Sequence, residues 1–389
     1  MRTTLLVLAV TVLAFPAAVQ APRQLGLKPP TAQLSEEFTL IGSVRELSDG
    51  RALISDPRDN RVVVADLKTG AVLQVGRQGQ GPGEYAMAGP LIPLAGDSSL
   101  LVDGRTRRWL LFSGATITVT VPADNQLIRA LKAQARGADQ RGNVWGLASP
   151  RPEIDQEHVK SGTITFGPAD SDLVVRGNRG SGKIDTLTQV RLAVSQQTMT
   201  ANAQGKLSSV SVMRAPLSVG EEAALFQDGW LAVVRLGPYR VDWISPDGRV
   251  SPGRPLPFTP IKSTRAEKDA FFERQRAAMT STGRGGGAAA TPPGLQAQLD
   301  AMREQFPDEF PPFTNGAIAG GDGNLYLRHP VSLNLPNYRY DVVGRSGQLL
   351  GVVSLGQGER IVSVSRSSVY VAWKDADDIE RLRRHPLVL

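Results

Sequence analysis

A short unit recurs along this chain: a turn built on Asp, Gly or Asn, an apolar strand, a polar turn and a second strand. The first copy begins at Asp49-Gly50 and continues through residues 51–56. Others begin at Asp97-Ser98-Ser99, Arg141-Gly142-Asn143, Asp228-Gly229 and Asp322-Gly323-Asn324, and a weaker sixth spans residues 367–373. Asp-Gly and Gly-Asn supply the positive φ values that tight hairpin turns need. The downstream strands, residues 61–66, 107–112, 239–244 and 338–343, alternate so that one face is apolar.

A single small sheet cannot bury both of its faces. Sheets repeated at roughly 40–50 residues can do so by packing around an axis, which is the spacing of propeller blades. The chain therefore reads as all-β: a six-bladed β-propeller forming one domain over residues 34–389. Residues 37–44 read as a further strand, expected to complete the last blade and join the two ends of the chain.

Two stretches interrupt the spacing. Residues 149–171 lengthen the third copy. Residues 261–312 form a longer insert between blades four and five, with two expected helices. The first opens with the capping-box pattern Thr264-Arg265-Ala266-Glu267 and runs to about Met279. The second follows Pro292-Pro293 and puts Leu295, Leu299, Met302 and Phe306 on one face. The Gly-rich residues 283–290 read as a flexible linker between them.

Composition narrows the function classes. The net charge is +7, but Lys and Arg are scattered and no basic run is interleaved with aromatics, so nucleic acid is not expected as a partner. With no cysteine, disulfides, thiolate metal sites and a Cys nucleophile are excluded. Residues 1–21 read as an export signal: Arg2, an apolar run over residues 5–15 too short to span a bilayer, then Ala17, Ala18 and Ala21. Val19-Gln20-Ala21 fits a cleavage site, but Pro22 would follow the cut, so the position stays open. No later segment is long and apolar enough to span a membrane. A periplasmic or secreted monomer is expected.

Residues 54–62, Ile-Ser-Asp-Pro-Arg-Asp-Asn-Arg-Val, resemble the V-x-D-x-x-N-x-R-I core of an NHL repeat. Residues 75–85, with Gly76, Gly79, Gly81-Pro82-Gly83 and Tyr85, resemble the link between NHL blades. The pair is similar to exported bacterial six-bladed propellers of the NHL-repeat and TolB-like type. The clear match covers one blade. More loosely, residues 170–176 and 183–186 resemble blade-three strands of such propellers.

The Gly81-Pro82-Gly83 link lacks the Lys-Ser/Thr and helix of a phosphate loop and reads as a crossover between blades. Turns between second and third strands, and links from fourth strands to the next blade, share one face of the disc. That face gathers both insertions, a pointer to the binding face. The second strands end there at Asp56, Asp103, Arg235, Arg328 with His329, and Trp373 with Lys374. These seven form a candidate polar rim that a zwitterionic or sugar-like ligand could bridge. Asp56 has a structural alternative, tying adjacent strands together with Arg61.

Of three histidines, His158, His329 and His385, none has metal-site spacing. No residues match the Glu, Asn and Asp of six-bladed lactonases one by one. His329 is the one counterpart to the His of streptogramin-lyase-like propellers. No catalytic residue, metal or cofactor is assigned. The leading expectation is a non-catalytic propeller for an unknown small molecule, glycan or protein. The alternative is an extracytoplasmic, lactonase-like hydrolase or lyase with its site at the axial pocket.

Overall fold

The computed structural model describes residues 22–122, 125–131, 134–150, 155–280, 295–330 and 337–388. The expected export signal, residues 1–21, and the Gly-rich residues 283–290 lie outside them. The described chain is mostly β, arranged in many small antiparallel sheets. Among its helices none is long and apolar enough to cross a membrane.

Six of the sheets have four strands. The first contains Ser43–Glu46, Ala52–Asp56, Arg61–Ala65 and Val72–Gln74 in spatial order. The first strands of the next five are Leu91–Pro93, Ala135–Ala138, Glu222–Leu225, Ile318–Ala319 and Glu359–Val364. Each first strand neighbours the next, and the sixth neighbours the first. The ring is therefore closed, with first strands innermost, and this is the arrangement of a β-propeller. Gly50, Gly142, Gly229 and Gly323, in the turns after four of the first strands, have φ of 85°, 81°, 92° and 86°. These are values that only glycine adopts without strain.

The core follows the ring. Each of six apolar clusters draws on two consecutive sheets, as Leu53, Val62 and Val64 of the first do with Tyr85, Leu101 and Leu110 on the side of the second. The last seam combines Tyr370, Ala372 and Leu382 of the sixth sheet with Ile54 and Val63 of the first, around Leu34, Phe38 and Ile41.

That seam corrects the expected closing strand. The strand that completes the sixth sheet is Ala32–Gln33, paired with Arg384 and Arg383. Of the expected stretch, Phe38 does pair with the last strand, exchanging backbone hydrogen bonds of 2.9 Å with Glu380, but residues 39–42 then cross to the axis and Ser43–Glu46 opens the first sheet. The reason lies in the spacing: Leu34, Phe38 and Ile41 are the buried residues, at intervals of four and three, which a strand's two-residue period cannot place on one face. Upstream, Gln24 bridges Val352 at the edge of the fifth sheet, so the N-terminal segment straps two sheets in succession.

The long links carry extra structure. Gly162–Phe166, Ser195–Ala201 and Leu207–Arg214 form a separate three-stranded sheet that the sequence pattern did not reveal. The looser resemblance at residues 170–176 and 183–186 does fall on third-sheet strands, Ser171–Asn178 and Ile184–Arg191. Helices Arg265–Thr280 and Leu295–Glu304 lie between the fourth and fifth sheets in the chain. Thr264 and Glu267 form the reciprocal capping box: the Thr264 N–H donates to the Glu267 carboxylate at 2.7 Å, and the Glu267 N–H to Thr264 Oγ1 at 3.2 Å. The neck of the insert is held by Ser263 N–H to Asp308 O and Phe310 N–H to Ile261 O, each 2.8 Å. Leu299, Met302 and Phe306 pack with Phe272 against Met213 and Leu217. The apolar stripe is thus sealed within the protein; the Leu295 side chain lies outside the described set.

If the seam holds the ring shut, Leu34→Ala is expected to cost about 2–5 kcal/mol. Leu73→Ala, on the exposed outer strand of the first sheet, is expected to stay within about 0.5 kcal/mol of wild type. Denaturant midpoints of the two variants make the comparison, and equal losses would refute the role given to the seam.

Candidate functional site

The ring encloses a cavity of about 1000 Å³ whose wall includes residues from all six first strands. A first strand begins at the face where the long links lie and ends at the opposite turns. Position along a first strand therefore gives depth in the cavity.

Two charged side chains stand at the linked face. Glu222 is the first residue of its strand and Arg136 the second of the neighbouring one. Glu222 is anchored from behind: Gly316 N–H donates to both carboxylate oxygens at 3.1 and 3.0 Å, and Ala317 N–H to Oε2 at 3.1 Å. Burial pushes its carboxyl above the ordinary value, against the pull of those N–H groups and of Arg136 and Arg328. Arg136 is exposed to the cavity and makes no hydrogen bond or ion pair among the described residues.

The next residue is Gly137, and a Cβ there would stand 2.2 Å from Trp145 Nε1. The glycine lets the Trp145 indole form part of the wall. Trp145 is 2% exposed and its Nε1–H has no partner. Deeper, the Arg45 guanidinium donates to Gly96 O, and burial pulls it below its ordinary value against the opposing effect of Asp97 and Glu46. At the far turns Asp97 accepts from Ser48 N–H at 2.8 Å and from its hydroxyl at 2.6 Å.

None of the seven rim residues lines this cavity. Asp56 and Asp103 are fully buried. Asp56 accepts from the N–H groups of Thr39, Arg58 and Asp59. Asp103 accepts from the N–H groups of Ala86, Arg105 and Thr106 and from the Thr106 hydroxyl. Each carboxylate thus caps its own turn and ties it to a preceding segment. Arg61, opposite Asp56 in register, turns to Glu36 at 2.6 Å.

Arg235 bridges Glu221 at 2.8 Å and Asp242 at 3.0 Å. Buried His329 meets Asp341 through Nε2 at 2.6 Å. Trp373 lies under Arg383 and Arg381, and Lys374 pairs with Asp378 at 2.6 Å. Arg328 is the one linked to the cavity mouth. It donates to Thr314 Oγ1 at 2.8 Å and to Asn315 O at 2.9 Å, and the next two residues supply the N–H groups that hold Glu222.

The Gly81-Pro82-Gly83 link is a tight turn. Gly81 N–H donates to the Glu84 carboxylate at 2.8 Å, and Tyr85 Oη accepts from Val62 N–H at 2.9 Å. Among the described residues no three His, Cys, Asp or Glu side chains converge as a metal site would require.

No family model matches the chain, and no curated protein does. Solved structures that resemble it are β-propeller proteins at low identity. A calcium-binding protein, regucalcin, from Agrobacterium tumefaciens is 10% identical over 93% of this chain and 96% of its own, with a TM-score of 0.37. A gluconolactonase candidate is 11% identical over 92% and 94%, with a TM-score of 0.45. A catalytically inactive virginiamycin B lyase from Staphylococcus aureus, solved with quinupristin, is 9% identical over 91% and 99%, with a TM-score of 0.33. No activity is carried over from these likenesses.

The raised Glu222 pKa gives a pH prediction. The folded chain holds this proton more tightly than the unfolded chain, whose value is about 4.3. The resulting stabilisation is complete below that value and is lost as pH rises through the folded one. The melting temperature of wild type minus that of Glu222→Gln is therefore expected to shrink as pH rises. Calorimetry across the series checks this, and a difference that grew with pH would contradict the burial of the carboxyl.

Proposed function

We propose that the chain is an exported six-bladed β-propeller of the NHL and TolB-like kind that binds a small polar ligand in its axial cavity without transforming it. In this reading residues 34–389 form the blades, residues 261–312 a helical insert, and residues 1–21 an export signal that delivers a monomer to the periplasm or beyond. The observation that carries the reading is the cavity. Its volume of about 1000 Å³ suits a ligand of metabolite size, and its mouth carries a carboxylate and a guanidinium, Glu222 and Arg136. Arg328, alone of the seven rim residues, lies close enough to Glu222 to influence it.

One observation favours a hydrolase or lyase instead. A carboxyl whose pKa is raised by burial beside a cavity is suited to general acid–base work, and Glu222 is such a group.

A panel of small polar metabolites screened by thermal shift separates the readings, with Ser363→Trp as a control that fills the cavity from its wall. A ligand at a hundred times its Kd stabilises by about 2.7 kcal/mol. Such a shift is expected in wild type and not in the variant, with the compound recovered unchanged by NMR. Recovery of a converted product, abolished by Glu222→Gln, would establish the enzymatic reading. A shift of equal size in Ser363→Trp would remove the cavity as the site.

A further inference from the structure

We infer that the cavity mouth is a clamp for a small zwitterion, with Glu222 receiving the ammonium group and Arg136 the carboxylate. The inference rests on the axial-cavity reading above and assigns its ligand class.

Opposite charges on neighbouring strands ordinarily collapse into an ion pair. Here they do not, and the structure shows why. Backbone N–H groups of Gly316 and Ala317 draw the Glu222 carboxylate toward the fifth sheet. Arg136, on the third sheet, is left without a hydrogen bond or ion pair among the described residues, although the two groups remain close enough for each to feel the other's field. Opposite charges held apart across a cavity match a ligand whose own charges are opposite and separated. A partner of one sign would satisfy one group and face repulsion from the other.

The Trp145 indole backs this wall without adding a donor to it: its Nε1 is buried against Gly137, and the indole nitrogens of Trp243 and Trp373 are likewise buried without a partner among the described residues. Arg136 therefore offers the donors for a carboxylate, while the Glu222 oxygens keep lone pairs free for the ligand's ammonium.

Free amino acids and dipeptides are the probes, measured by calorimetric titration on the full chain. Their amides, which lose the carboxylate, and their N-acetyl forms, which lose the ammonium, serve as matched controls. At least one zwitterion is expected to bind, and blocking either charge is expected to weaken it by about tenfold or more. Arg136→Ala should abolish discrimination against the amide, and Glu222→Gln discrimination against the N-acetyl form. Cooperative melting transitions show that the variants fold, and Arg136→Lys, which keeps the charge, should restore part of the affinity lost in Arg136→Ala.

Binding of blocked and free forms with equal affinity would overturn the clamp, as would failure of every zwitterion to bind. If uncharged sugars bind, and Ser363→Trp blocks them, the cavity reading stands and the clamp falls. If zwitterions bind equally well to Ser363→Trp and to Arg136→Ala, both fall.

Discussion

The pairing of Ala32–Gln33 with the last strand of the chain is the contact on which the rest of the architecture depends. A ring of sheets has no edge only while its first and last members hold together. Here the join is made by backbone pairing at the rim and by burial of Leu34, Phe38 and Ile41 between the sixth and first sheets. It is reinforced by an ionic cluster. Glu380, 2% exposed, accepts from Ile41 N–H at 2.7 Å and from the Arg360 guanidinium at 2.6 Å. Removing one member would leave an uncompensated buried charge, which costs far more than an exposed pair is worth. The axial cavity exists because this join closes its wall.

Topology then dictates where variation can accumulate. In each sheet the turn between first and second strands is short, and in five of the six it holds a glycine at positive φ, the sixth being Ser365-Arg366-Ser367. The other two kinds of connection open on the opposite face and are free to lengthen. The extra three-stranded sheet draws Gly162–Phe166 from a second-to-third connection and its other strands from the following inter-sheet link. The helices come from the next such link. These elements meet: Phe272, Leu299, Met302 and Phe306 cover Met213, in the extra sheet's last strand, and Leu217, just after it. The superstructure is thus one packed unit beside the cavity mouth, since its parts emerge from adjacent sheets on the same face.

How much of this was legible in the sequence follows from what each feature requires of its residues. Second and third strands were visible because they are long and buried, as in Ala52–Asp56 and Leu231–Leu236, and because an Asp-Gly turn precedes them. The capping box at Thr264 was visible because it needs two residue types at a fixed spacing. The first strands were not. Several have two to four residues, as at Ile318–Ala319 and Ala135–Ala138, too few for a period to register. They precede the turn that marks each repeat, so a search anchored on the turns reads past them. The cavity wall is built from these strands, so the sequence directed attention to the ends of the second strands instead. There Asp56 and Asp103 do carry a recurring pattern, but the pattern belongs to turn capping.

The same division explains why the mouth carries polarity that the rest of the core avoids. A residue between sheets must be apolar, since it meets another sheet on either side. A first-strand side chain that points to the axis meets open space, beside the strand's own axis-facing N–H and C=O groups, which the second strand leaves unpaired. Charge there carries a desolvation cost, which for Glu222 two backbone N–H groups from the neighbouring link offset only in part. That support also draws the carboxylate toward the fifth sheet and away from Arg136. A fold that needed these two groups for its own stability would have let them meet. Their separation fits a wall shaped for another molecule.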